Sequence, residues 1–570
     1  MLRKSLASEK SYVVRRTLPN TPFVHFLQHQ LAKINGRCRI PSGKIPPSTG
    51  WLMAATLLVV LGLASAACAQ SNSPDGPPAW LQPTWNQARD IRLLSEILEG
   101  DIPPTIPQFL TLPDHTGKIS SYQPAGDTTT KSNAFFQSLG TNGRTCFSCH
   151  QPQSGWALKP SDAQVLFLTT GGRDPLFAPV DGANCPDTGA AAKRFWQKLS
   201  AFSQLLTKGN FRIFLPIPAK PEWQVSIAYD PYGCETDPKY GITGPNTGFL
   251  SVYRRPLPAA SLNFLTPGGR KDKNGDALPN IMWDAREPSL ESQFIDATLV
   301  HAQAGAKPAP HQTSQGVSFQ TGIFTAQSYD RWARDLTGSD GSGANGGPNY
   351  LSTLPEATKV GGGSPAPKGP TGTNLSFNLF DSFTTPSDSP RVTNARESIQ
   401  RGQTVFNTKT FLITNVTGLN DVKNQNPSTG TCSTCHNNVN AGNDFRLDPK
   451  HTGIGDNSSS FLPPTPDQPL FSFLCPPGSI TYFSNPVVVN GVPYDQFLTT
   501  DPGVGLITGK CADLGKMKVP VLRGLASRAP YFHGGNAATL RDLIDFYDQR
   551  FSIGLTDEEK QDLVNFLNTL

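Results

Sequence analysis

Apolar positions recur at helical spacing in a few stretches of this chain and almost nowhere else. In "TWNQARDIRLLSEILEG" (84–100), Ile91, Leu94 and Leu98 share one face; Thr84 is the cap, and Gly100 with Pro103 is the stop. "IMWDAREPSLESQFIDATL" (281–299) reads as a turn running into a helix, and "NARESIQRGQTVFN" (394–407) as a helix with Gly402 and Phe406 four apart. Near the end, Thr539 with Asp542 and Thr556 with Glu559 have capping-box spacing. The last helix carries Leu563, Phe566, Leu567 and Leu570 as its packed stripe. Strand alternation is sparse, and residues 160–280 read as irregular. Two Gly-rich stretches, 337–350 and 361–373, read as flexible loops or an interdomain linker. The pattern therefore predicts a mainly α protein with long loops.

Composition and charge refine this picture at the N-terminus. At 570 residues, with 52 Gly, 52 Pro and 16 % charged residues, the chain is long enough for several domains and rich in loops. Its net charge of +5 is misleading. Residues 1–50 hold nine of the 49 Lys/Arg and one of the 44 Asp/Glu, so the chain after Ala69 carries 40 basic and 43 acidic side chains, a net of −3. No basic nucleic-acid footprint remains in the folded part. The segment "WLMAATLLVVLGLASAACAQ" (51–70) has an apolar core followed by small residues ending Ala67-Cys68-Ala69. It reads as an export signal too short for a transmembrane span, with Cys68 a second candidate role as a lipid anchor.

Ten cysteines are present. Cys38 and Cys68 lie in or before the signal. Cys146, Cys149 and His150, and again Cys432, Cys435 and His436, form two Cys-x-x-Cys-His motifs. Two thiols at this spacing add to the two vinyl groups of a haem, and the following imidazole binds the iron. A zinc site would place its Cys-x-x-Cys halves about 15–20 residues apart; here almost half the chain separates them. The motifs imply two covalently bound haems c with His150 and His436 as proximal ligands. Cys185, Cys234, Cys475 and Cys511 remain, with three possible pairings. Cys185–Cys234 and Cys475–Cys511 are favoured, because each closes a loop inside one module in an oxidising compartment. The expected organisation is 1–69 leader and signal, 70–390 a first cytochrome c-like haem domain with insertions, and 391–570 a second.

Four segments resemble the bacterial dihaem cytochrome c peroxidases and their relative MauG. They are "NAFFQSLGTNGRTCFSCHQPQSGW", "RRPLPAASLNF", "MWDAREPSLESQ" and "KVPVLRGLASRAPYFHGGNAATLRDLIDFY". The resemblance implies that Trp283 lies between the haems and relays electrons. It implies that Gln293 lines the distal pocket of the first haem, and that Asn263 with the backbone at Arg528 and Pro530 holds a calcium ion. It also implies a small periplasmic electron donor, a c-type cytochrome or cupredoxin, and hydrogen peroxide as substrate. Tyr547 stands fourteen residues after His533, where the peroxidases place a methionine ligand to the second iron and MauG a tyrosine.

Two departures bear on mechanism. No histidine lies between His150 and His301, so the blocking distal histidine of the peroxidases has no counterpart and the first haem is expected to be open. The family's glutamate, twenty residues after the tryptophan, falls on Gln303, which cannot take up a proton. His301, two residues earlier, can act as general base. The implied activity is a periplasmic dihaem oxidoreductase that reduces hydrogen peroxide. Its rivals are a dihaem electron-transfer protein without turnover, and a MauG-like or oxygenase-like enzyme on an organic or protein substrate.

Overall fold

A computed structural model describes residues 87–570, except 245–246, 266–279, 355–374, 388, 445–447, 456–464 and 483. The signal segment 51–70, Cys38, Cys68, Thr84 and the Gly-rich stretch 361–373 lie outside the described residues. Ala79–Leu570 form one compact unit.

The expectation of a mainly α chain does not hold. The described residues contain five sheets alongside the helices, a mixed α/β architecture. Strands Phe109–Pro113, Gly117–Tyr122, Phe324–Asp330 and Arg334–Asp335 make one four-stranded sheet. A second sheet pairs Gln224–Tyr229, from the first half, with Leu470–Cys475, which continues to Val492–Thr499 and Asn485–Val489. These strands are two to eight residues long, and several bury consecutive residues, as in Thr247–Arg254, whose last five are all buried. Alternation is erased where both faces are covered, so the strands read as irregular chain.

The helices match the pattern more closely. Helix Leu540–Phe551 is capped by Thr539 and Asp542, and helix Asp557–Asn568 by Thr556 and Glu559. Helix Gln87–Glu99 forms, but its buried side is Asp90, Leu93, Leu94 and Ile97. The face is rotated from Ile91/Leu94/Leu98 because buried Asp90 joins it, bonded to Arg89 and to the Thr111 backbone. The stretch 337–350 is packed rather than linker-like. Asn345 and Gly346 donate to Leu379 and Leu336 carbonyls, and Ala344 joins Phe377, Phe380 and Phe383 in a core with Phe406, Ile544 and Phe566. Segments on both sides of residue 390 thus bury the same apolar surface. Both favoured disulfides are present, Cys185–Cys234 and Cys475–Cys511.

One buried ion-pair cluster ties the halves together. Arg254 bonds Asp284 at 2.5 Å and takes Asp501 bidentately at 2.6 and 2.8 Å. Burial alone would raise both carboxyl pKa values, but the guanidinium and its hydrogen bonds hold them below the usual range. Groups depressed in the folded state stabilise it above their unfolded value of about 4 and lose that contribution as pH falls through the folded pKa. Arg254→Gln strips the buried carboxylate of Asp501 of its guanidinium. It is expected to cost about 3–5 kcal/mol at neutral pH, measured by denaturant unfolding. The gap to wild type should narrow as the pH drops below about 4.

Candidate haem centres

Each Cys-x-x-Cys-His motif folds as the same device. Cys146–Ser148 and Cys432–Thr434 are single 3₁₀ turns, opened by Thr145 paired with Ser148 and by Thr431 paired with Thr434. In the second motif both thiols line one cavity, whereas in the first Cys149 lines another and Cys146 is not among the lining residues. All four remain outside disulfides, and burial pushes Cys146, Cys149 and Cys432 up to about 12, so they stand as neutral thiols. His150 Nδ1–H donates to the Trp156 carbonyl at 3.0 Å, and His436 Nδ1–H to the Gly442 carbonyl at 2.6 Å. In both modules the acceptor lies six residues on and has left-handed backbone, φ +59° at Trp156 and +80° at Gly442. Gly442 takes that conformation without cost. Trp156 is held in it by full burial and by its indole N–H on Ser121 at 2.8 Å. The bond fixes each imidazole's tautomer and leaves Nε2 as the metal donor. Burial lowers both histidines, His150 to about 4, so neither competes for its lone pair with a proton at neutral pH.

Two cavities lie over these turns. The first, about 940 Å³ with its mouth, is lined by Cys149, His150, Phe211, Leu262, Ile281 and Leu290 with Gln293, His301 and Asp181. The second, about 1580 Å³ with its mouth, is lined by Cys432, Cys435, His436, Phe406, Leu540, Ile544 and Tyr547 among other apolar side chains. Arg255, Pro256, Leu257, Trp283 and Lys518 line both and form the wall between them. The Trp283 indole N–H donates to the Arg255 carbonyl at 2.8 Å, and the Lys518 backbone N–H to the Trp283 carbonyl at 2.8 Å. The donor sets and apolar linings fit a haem c in each cavity. The Lys518 amine lines both cavities, is buried without a hydrogen-bond partner among the described residues, and has its pKa pulled down to about 7 by burial; the carboxylates of a bound haem would supply the counter-charge it lacks.

The sequence-derived site residues divide into those at a cavity and those elsewhere. Gln293 and His301 share a face of helix Leu290–Val300 and its C-cap and both reach the first cavity. Gln303 does not line it; its amide oxygen accepts from Asn142 outside, at 3.3 Å. Tyr547 lines the second cavity, and burial raises its phenol pKa. Met517 lines the same cavity and packs in one cluster with Tyr547 and Trp283, a neighbour that the sequence did not single out.

The calcium set does not fit. The Asn263 Oδ1 is buried and unpartnered, as a ligand would be. The Arg528 carbonyl, however, already accepts from the Arg255 guanidinium at 2.8 Å, which sets a fixed positive charge against one of the implied ligands.

Sequence reasoning missed the partners of His301. Its Nδ1–H donates to Asp181 at 2.5 Å, and Asp181 is ion-paired with Arg144, two residues before Cys146. Burial alone would raise Asp181, but Arg144 and the His301 bond hold it below the usual carboxylate range, so it stays ionised. The Arg144-Cys146 spacing was the one trace available; Asp181 is thirty-five residues from that motif and has no local signal. The loop 141–144 is also sewn to the helix end: Thr141 donates to Ala302, and Asn142 to the His301 carbonyl. A Cβ on Gly140 would lie 1.8 Å from the Ala302 carbonyl oxygen. Gly140→Val is expected to force this seam apart and cost about 1–3 kcal/mol, read in thermal unfolding, with both motifs still able to bind haem in a denaturing-gel stain.

No family model matches the chain. Among curated proteins it is 30 % identical over 148 residues to a cytochrome-c peroxidase, IdrP2, of Denitromonas iodatirespirans, a match covering 25 % of this chain and 36 % of that protein. It is 35 % identical over 81 residues to the cytochrome-c peroxidase IdrP1 of Pseudomonas sp. (strain SCT), covering 12 % and 21 %. The chain thus spans about a third or less of the length of these relatives. A solved structure described as a MauG-like protein associated with microbial copper homeostasis aligns over 56 % of this chain and 74 % of its own, at 17 % identity and a TM-score of 0.28.

Proposed function

For a chain related, at low identity, to the dihaem cytochrome c peroxidase and MauG family, we propose an exported oxidoreductase that holds two haems c and reduces hydrogen peroxide at the first. The observation that carries this reading is an asymmetry. Two large cavities share one wall, and among the described residues only the first is lined by a histidine outside the Cys-x-x-Cys-His motifs, His301 backed by Asp181. Export is supported by the two disulfides and the signal-like segment 51–70. Among the described residues no helix is long and apolar enough to cross a membrane.

When bound, the haems supply the peroxide-binding iron and the store of electrons. The protein's part is proton management and positioning. His301 Nε2 accepts the proton of the oxygen that approaches the first cavity and returns it to the departing oxygen. The net change is H₂O₂ plus two electrons and two protons giving two waters. Asp181 accepts the Nδ1–H throughout, which fixes the tautomer and stabilises the imidazolium. The Gln293 amide orients the bound oxidant by hydrogen bonding. Trp283, touching both cavities, carries electrons between them, and a c-type cytochrome or cupredoxin replenishes them from outside. Such a general base contributes roughly 10²–10⁴-fold. His301→Ala and Asp181→Asn are each expected to slow peroxide reduction by up to that range while leaving both haems attached. An unchanged rate constant in stopped-flow mixing with peroxide removes the pair from the mechanism.

Tyr547 supports a second reading, MauG-like oxidation of an organic or protein substrate. A phenolate ligand on the second iron would favour higher oxidation states over donor-driven turnover. Tyr547→Phe is expected to change the low-spin part of the optical spectrum. An identical spectrum reduces Tyr547 to packing and leaves Met517 as the neighbour to test. Peroxide consumption that requires a reduced c-type cytochrome favours the peroxidase; consumption without one favours the second reading. A high-spin ferric component that binds cyanide is expected in either case, and two cyanide-inert low-spin haems would favour pure electron transfer.

A further inference from the structure

Arg255 is a buried cation with no carboxylate partner among the described residues. Its side chain is 5 % exposed and lines both cavities. Instead of a counter-ion it has backbone oxygens: Nη1 donates to the Lys208 carbonyl, and Nη2 to the carbonyls of Leu158 at 3.0 Å and Arg528 at 2.8 Å. These acceptors come from three separate segments. One precedes the first helix after the Cys-x-x-Cys-His turn, one ends helix Ser203–Lys208, and one opens the "RAPYFHGG" turn of the second module. The residue's own backbone completes the junction. Its N–H donates to the His533 carbonyl at 2.8 Å, and its carbonyl accepts the Trp283 indole. Burial and the neighbouring Arg528 charge pull its pKa down to about 9, which leaves it protonated at neutral pH.

A ring of carbonyl oxygens from several segments gathered around one positive centre is the way a structural calcium ion is held. Here a guanidinium tethered to the chain is at the centre of the ring. Its five N–H groups lie in one plane and point outward, which suits it to several carbonyls at once, where a lysine ammonium offers a single compact charge.

We propose that Arg255 is a built-in structural cation that replaces an exchangeable calcium ion in the wall between the two haem cavities, so that the haem-loaded protein keeps its structure without calcium. The inference rests on the wall's own hydrogen bonds and stands whether or not the bound haems reduce peroxide.

The test uses the haem-loaded full chain. Wild-type protein is treated with EDTA, exchanged into chelator-free buffer, and examined by metal analysis, optical spectroscopy and thermal unfolding, with and without added calcium chloride. The expected result is well under one equivalent of calcium per chain and no shift of spectrum or midpoint on chelation or calcium addition. Retained stoichiometric calcium, or a shift on chelation, overturns the proposal. Arg255→Asn removes the guanidinium and offers a calcium-binding oxygen in its stead. Its midpoint is expected to fall by several degrees and to rise again with calcium, while that of wild type does not move. A midpoint equal to wild type's, or a fall that calcium does not reverse, also overturns it. If the variant fails to take up haem, the chelation arm decides alone. A failure of the peroxide reaction with these results intact would count against the proposed function and leave the cation assignment standing.

Discussion

Arg254 fixes the position of the wall on which both cavities depend. It stands at the end of strand Thr247–Arg254, and its guanidinium reaches the turn that carries Trp283 through Asp284 and the second half of the chain through Asp501. Arg254 and Arg286 together balance the buried carboxylates of Asp284 and Asp501, whereas any single loss strands a charge in a low-dielectric interior. The geometry is therefore all or nothing, as a wall between two redox groups requires. The next residue, Arg255, uses the same plane of donors on carbonyls and carries the junction to three further segments. Adjacent arginines thus serve two different kinds of acceptor, and between them the Trp283 ring is held against both cavities.

Within that frame the two centres share their floor and differ in what stands above it. Each floor is one 3₁₀ turn and one imidazole tied to a carbonyl six residues on. Around the first stand a histidine, an amide and a buried carboxylate; around the second lie a tyrosine, a methionine and apolar rings, with Lys450 and Arg528 beside the shared Arg255 and Lys518. Under the proposed function His301 with Asp181 moves protons at the first, and no such histidine lines the second among the described residues. The proposed division into a reacting centre and a storing centre rests on that contrast in local chemistry, not on likeness of fold.

The parts of this arrangement that were legible in the sequence are the locally encoded ones. The motif Cys-x-x-Cys-His places thiols and imidazole by covalent spacing alone. The capped helices 540–551 and 557–568 announce themselves through Thr539/Asp542 and Thr556/Glu559. Gln293 and His301 were legible as candidates through the family resemblance, which locates them by their distance from Trp283. The rest is made by distant contacts. Asp181 meets His301 across 120 residues and Asp501 meets Arg254 across 247. The strands are short, and several are covered on both faces, which removes the period-two signal. Arg255 lies in a segment whose resemblance implies a calcium ligand; its charge, set against carbonyls that the fold gathers from elsewhere, is what motivates the proposal of a built-in cation.

A built-in cation bears on how the wall behaves. A calcium ion held by carbonyls equilibrates with the solvent, so a wall built around one is as durable as the ambient calcium concentration allows. A guanidinium on the chain has an effective concentration fixed by the fold. It also orients its donors in a plane, whereas calcium accepts a loose shell. The wall between the cavities is thereby removed from control by a diffusible ion. If Trp283 carries electrons as proposed, their flow would then answer to the redox states of the two centres or to access at the His301 side of the first cavity, not to calcium.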